Sequence, residues 1–100
     1  MEIIRAEDMG SRTDSGVTLR RLLYPENSRS ERVTITGVTV APGAKNLPHR
    51  HETMEQVWIA IRGSGRLLLE DGQTAPFAAG DVARFAEGDL HGFENTGGSE

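Results

Sequence analysis

Short runs of alternating and β-branched residues recur along this chain, each closed by glycine, proline or an Asp-Gly pair, and no stretch carries the apolar period of a helix. Such a chain can build a core only by pairing strands. In 32–40, polar and β-branched residues alternate as in a half-buried strand, and Pro42-Gly43 ends the run. Residues 17–24 are an earlier candidate. Residues 47–51 are short and extended, because Pro48 disfavours the helical region for Leu47. In 56–62, Val57, Ile59 and Ile61 share one face, while Gln56, Trp58, Ala60 and Arg62 share the other, before a turn at Gly63-Ser64-Gly65. Segments 66–70 and 73–78 flank Asp71-Gly72, a pair favoured in two-residue hairpin turns because both residues accept positive φ. Gly80 precedes 81–86, and Glu87-Gly88-Asp89 turns the chain into 90–95. The expected class is an all-β sandwich or small barrel. Residues 26–31 read as a polar loop and 96–100 as a flexible tail.

A chain of 100 residues suits one domain, 1–100, with a stability margin that a bound metal or a second subunit would widen. The formal charge of −4 argues against a polyanion partner, which needs a dense basic face; acids are interspersed among the arginines. No nucleic-acid role is expected. The absence of cysteine removes disulfides and thiolate chemistry and fits a reducing compartment. The first residues lack the apolar core of a signal peptide, and no apolar run approaches the roughly 20 residues that span a bilayer. The expected location is therefore cytoplasmic, with no membrane partner.

All three histidines fall in two glycine-bounded segments. His49 and His51 stand two apart, so on an extended chain their imidazoles share a face and can converge on one ion, while Arg50 points away. Glu55 follows after a short turn at 52–54, where a hairpin-like return would set its carboxylate beside them. His91 must come from a neighbouring strand. A lone histidine is more simply a hydrogen-bonded structural residue, but three with a carboxylate in step form a mixed nitrogen and oxygen donor set. That set suits iron, manganese, nickel, zinc or copper, one ion per chain. Four protein donors around a six-coordinate ion would leave positions for water or substrate.

The spacing resembles the two motifs of the cupin family. Gly43, five residues, His49-Arg50-His51, three residues, Glu55, seven residues and Gly63 match the first. Gly80, five residues, Ala86-Glu87-Gly88, two residues, His91, three residues and Asn95 match the second. The motifs, at 43–63 and 80–95, span about half of the chain together with the sixteen residues that separate them, a gap near the short linker of small bacterial cupins. Ala86 stands where the family usually has proline, which should loosen a turn, and cupins usually continue for one or two strands beyond the position of Asn95. The resemblance implies a double-stranded β-helix, a small antiparallel jelly-roll barrel whose closing strands are either absent or belong to a longer polypeptide, and a metal inside one mouth. It also implies a homodimer, for which Trp58, opposite Val57 and Ile59, is an interface candidate; a Trp covering the outer sheet under a loop is the equal alternative.

Phe93 shares the parity of His91 and is expected to line the pocket, with Phe77 and Phe85 in the core. Parity places Arg50 and Gln56 outward, and Arg84 follows whichever way Val82 points. The expected function is that of a small metalloenzyme acting on an oxygen-bearing organic substrate, of dioxygenase, isomerase or lyase type. The alternative is a non-catalytic module that binds or senses a small molecule. No residue is identified as a second catalytic acid or base.

Overall fold

The computed structural model describes residues 1–100 and is all-β apart from two three-residue 3-10 turns, at Ala6–Asp8 and Glu70–Gly72. No helix is long and apolar enough to cross a membrane. The chain divides into two compact units, Met1–Thr39 and Val40–Glu100.

In the first unit, β1 (Gly10–Asp14) pairs antiparallel with β2 (Val17–Leu23), and the sheet order is β1-β2-β3, with β3 at Ile35–Val40. β1 was not expected from the sequence. Its register pairs Asp14 with Val17, which leaves Ser15-Gly16 as a two-residue turn with φ of 51° and 82°. That is the positive-φ geometry of a tight hairpin, and the Ser-Gly pair was its signal.

The second unit carries the histidines. β4 (Lys45–His49), β9 (His91–Glu94), β6 (Ser64–Leu68) and β7 (Thr74–Ala78) form one antiparallel sheet in the order β4-β9-β6-β7. β5 (Gln56–Ile59) and β8 (Val82–Phe85) form a two-stranded sheet. The Asp71-Gly72 expectation holds in its chemistry, since both residues take positive φ, at 58° and 72°, and Gln73 N–H closes onto Glu70 O at 3.1 Å. Gly65 is required by close approach: a Cβ there would collide with Glu94 O and the Phe93 ring as β6 lies against β9.

The core is small. Leu67, Phe77 and Phe85 are buried together, and Trp58, Ala60, Leu69, Ala75, Ala83 and Phe93 pack against them. This settles the faces of β5 and corrects the expectation for Trp58. Its indole lies edge-on to Phe85, with ring centroids 5.0 Å apart, on the covered side of the strand. Val57, Ile59 and Val82 are instead exposed, at 57%, 62% and 64%. In the register, Gln56 pairs with Phe85 and Trp58 with Ala83 on the inner face, while Val57 pairs with Arg84 and Ile59 with Val82 on the outer one. Aromatic volume fills this core better than β-branched side chains do.

Asn95 anchors the end of the sheet. It is 3% exposed, its Nδ2 donates to Val40 O at 2.7 Å and to Ser99 O at 2.8 Å, and its Oδ1 accepts from Gly97 N–H at 2.9 Å. The residues expected as a flexible tail thus make these contacts. Replacing Asn95 with alanine strands buried backbone acceptors, so Asn95→Ala should lose about 1–3 kcal/mol, read as a lower urea midpoint at unchanged m-value.

Candidate metal centre

Three imidazoles converge where β4, its continuation and β9 meet. The register of β4 on β9 pairs Asn46 with Phe93 and then jumps to pair His49 with His91, so the strands are irregular just before the histidines. Gly92 permits that approach: a Cβ at this position would lie 2.7 Å from Pro48 N and 2.9 Å from Pro48 Cα. The ring centroids of His49 and His91 are 4.6 Å apart, those of His49 and His51 are 5.1 Å apart, and those of His51 and His91 are 5.8 Å apart. One potential ligand nitrogen from each lies within 4.8 Å of the other two.

Backbone carbonyls orient two of these rings. His91 Nδ1–H donates to Asp89 O at 2.8 Å, and His49 Nδ1–H donates to Leu47 O at 3.2 Å. Each donation places the ring proton on Nδ1 and leaves Nε2 as a bare lone pair, the outer-sphere arrangement that readies histidine for metal. His51 Nε2 is buried and has no hydrogen-bond partner. An orphaned buried nitrogen is costly unless something binds it, and beside two other imidazoles a metal ion fits that role.

The turn before β9 ties the two histidine segments together. Gly88 N–H donates to His51 O at 2.8 Å while Asp89 O holds His91, so one four-residue turn positions both. The expected loosening at Ala86 is not seen. Ala86 keeps an N–H that proline would lack, and it donates to Asp89 Oδ2 at 2.8 Å, while Asp89 N–H returns to Ala86 O at 3.1 Å. Arg50 points away from the imidazoles, as expected, and its guanidinium reaches the Glu70 carboxylate at 3.2 Å and Gly88 O at 3.4 Å.

Glu55 is not brought to the histidines. Its carboxylate accepts from Arg84 Nη1 at 2.7 Å, and both side chains are exposed. Arg84 shares this outer face with Val82, so it poses no buried-charge problem. Gln56, expected outward, turns inward instead, with its Oε1 2.6 Å from His91 Nε2. The two expectations fail together, because a strand that shows Glu55 to solvent must show Gln56 to the interior. The signal in the sequence was the pattern Gln56, Trp58, Ala60, which continues the inner face. Phe85 stacks on His91, with centroids 4.1 Å apart and planes at 11°, and Trp58 meets it edge-on at 5.1 Å. Phe93 packs with Phe77 in the core rather than against the imidazoles.

Burial, first, and the adjacent His49 and His51 rings hold the His91 pKa below the ordinary imidazole value, against the opposing pull of Asp89 O. Because folding favours the neutral ring, the associated stability is present above the unfolded pKa of about 6.5 and is lost as pH falls through the lowered value. The urea midpoint of metal-free protein should therefore drop between pH 7.5 and 5.5, and His91→Gln should flatten that dependence. An equal drop in the variant would show that other groups govern it.

The sequence profile of the cupin domain matches residues 37–100. An uncharacterized protein of Methanocaldococcus jannaschii is 28% identical over 85 residues, covering 85% of this chain and 67% of its own length. An oxalate-binding protein of Thermotoga maritima is 27% identical over 84 residues, covering 84% of this chain and 69% of its own. The crystal structure of a predicted oxalate decarboxylase from Thermotoga maritima superposes with a TM-score of 0.81 at 24% identity, over 98% of this chain and 90% of the other.

Proposed function

We propose that this chain, which belongs to the cupin family and has its double-stranded β-helix fold, holds one divalent transition metal on His49, His51 and His91. Open positions on that ion would receive a small oxygen-bearing organic ligand. The observation that carries this reading is the buried, unpartnered Nε2 of His51 beside two imidazoles whose own Nδ1–H groups are taken by carbonyls. Three neutral nitrogens suit iron, manganese, nickel, zinc or copper. The ion would supply Lewis acidity for chemistry of isomerase or lyase type or, if iron, would hold dioxygen for chemistry of dioxygenase type. The chain's own residues orient the rings through Leu47 O and Asp89 O, and wall one side with the Phe85 and Trp58 rings.

Protein purified without an affinity tag should carry about one transition-metal ion per chain by elemental analysis, and His49→Ala with His51→Ala should abolish it. Metal content unchanged in the double variant would defeat the assignment. A second reading, a binding module without turnover, is favoured by the name of the Thermotoga maritima relative, an oxalate-binding protein. Oxalate offered to the iron, manganese, nickel and zinc forms separates the two: product formation identifies an enzyme, and saturable binding with oxalate recovered intact identifies the module.

A homodimer fits the outer face of the β5–β8 sheet, where Val57, Ile59 and Val82 expose a contiguous apolar surface. Val57→Lys with Ile59→Lys should then convert dimer to monomer in light scattering at micromolar concentration. A wild-type monomer under those conditions would remove the dimer.

A further inference from the structure

The same four-residue turn brackets β8 at both ends, Ala78-Ala79-Gly80-Asp81 before it and Ala86-Glu87-Gly88-Asp89 after it. In each, the aspartate N–H donates to the first alanine carbonyl, at 2.9 Å and 3.1 Å, and the third residue is a glycine at positive φ, 94° and 82°. The aspartate carboxylate also reaches back to accept from the first alanine N–H, at 3.0 Å for Asp81 and 2.8 Å for Asp89. Two groups of each turn, the glycine N–H and the aspartate carbonyl, remain for other partners, and there the two copies part. The first gives both to one residue: Gly80 N–H donates to Ala60 O at 2.9 Å, and Asp81 O accepts from Ala60 N–H at 2.9 Å. The second gives both to histidines: Gly88 N–H donates to His51 O at 2.8 Å, and Asp89 O accepts from His91 Nδ1–H at 2.8 Å.

We infer that Asp89 is a positioning residue for the candidate metal centre: its carboxylate, by latching Ala86 N–H, fixes the Asp89 carbonyl that aims the His91 ring, and so sets the affinity and geometry of a bound ion. The inference rests on the metal reading above. The carboxylate itself lies outside the group of converging donors, which is His49, His51 and His91. The direction of Asp89 O follows the backbone torsions of Asp89, and a residue held by its side chain and by its N–H, both to Ala86, has little freedom to rotate that carbonyl. A bond accepted by a charged oxygen is also the stronger kind. Once the latch is released, the carbonyl turns, the imidazole loses its partner, and the Nε2 lone pair no longer keeps one direction. Asp81 makes the same bond in the same turn, but what it fixes is a strand contact at Ala60, so it is the matched control.

Cobalt(II) titrated into metal-free protein tests this, followed by the visible absorption of the bound ion, whose bands report ligand geometry as well as affinity. Asp89→Ala should bind cobalt about tenfold more weakly and with shifted bands. Asp89→Asn keeps an oxygen that accepts from Ala86 N–H and should match the wild type in both. Asp81→Ala loses the equivalent bond; it should lower the urea midpoint as much as Asp89→Ala does, yet leave cobalt affinity and bands unchanged. Wild-type affinity and bands in Asp89→Ala would overturn the inference. So would equal weakening in Asp81→Ala, which would trace the loss to general destabilisation, or equal weakening in Asp89→Asn, which would trace it to the lost charge rather than the bond. Wild-type protein that gives no cobalt bands would defeat the underlying metal site instead, before any variant is compared.

Discussion

The antiparallel contact of β4 with β9 is the constraint on which the candidate centre depends. It sets His49 opposite His91, and it is possible only because residue 92 has no Cβ to strike the backbone at Asn46 and Pro48. Once that approach is made, the turn at 86–89 completes the geometry. Its Gly88 N–H holds His51 O, and its Asp89 carbonyl fixes the proton of His91. The site is thus positioned mainly by backbone groups, which vary little with side-chain motion and suit a function that needs fixed donor directions.

A second constraint is the smallness of the core. Val40, Leu67, Phe77 and Phe85 are the buried apolar side chains, and His91 at 1% exposure is packed as tightly as any of them. Functional and structural burial therefore coincide. The Phe85 ring that contributes to the core also stacks on the His91 imidazole of the candidate site, so packing and site geometry are mechanically coupled. In a domain this size a ligand that binds only the folded state adds directly to stability, and three converging imidazoles are where such linkage would act.

Much of this was legible in the residues. The strand rhythm and the absence of a helical period fix an all-β chain; the glycines and Asp71-Gly72 mark turns that the structure confirms by positive φ. The spacing of His49, His51 and His91 predicts their convergence, and they converge. The first strand was missed because Ser15-Gly16 is a weaker turn signal than Asp71-Gly72, and Gly10–Asp14 carries few β-branched residues. The placement of Glu55 was misread for a different reason. Counting three residues from His51 to Glu55 assumes a regular path through 52–54, and a difference of one residue there exchanges every inward and outward side chain on β5.

By itself, the sequence determined which segments are strands, where they turn, and that three histidines belong together, since these follow from local φ/ψ preference and from spacing along one chain. Only the tertiary structure decided which face of β5 is covered. A period of two defines two faces without ranking them, and the choice was made by what fits: the Trp58 and Phe85 rings filling the interior, and Glu55 finding Arg84 at the surface. That choice carries Gln56 inward to His91, a contact between residues 35 apart in sequence that no local rule contains.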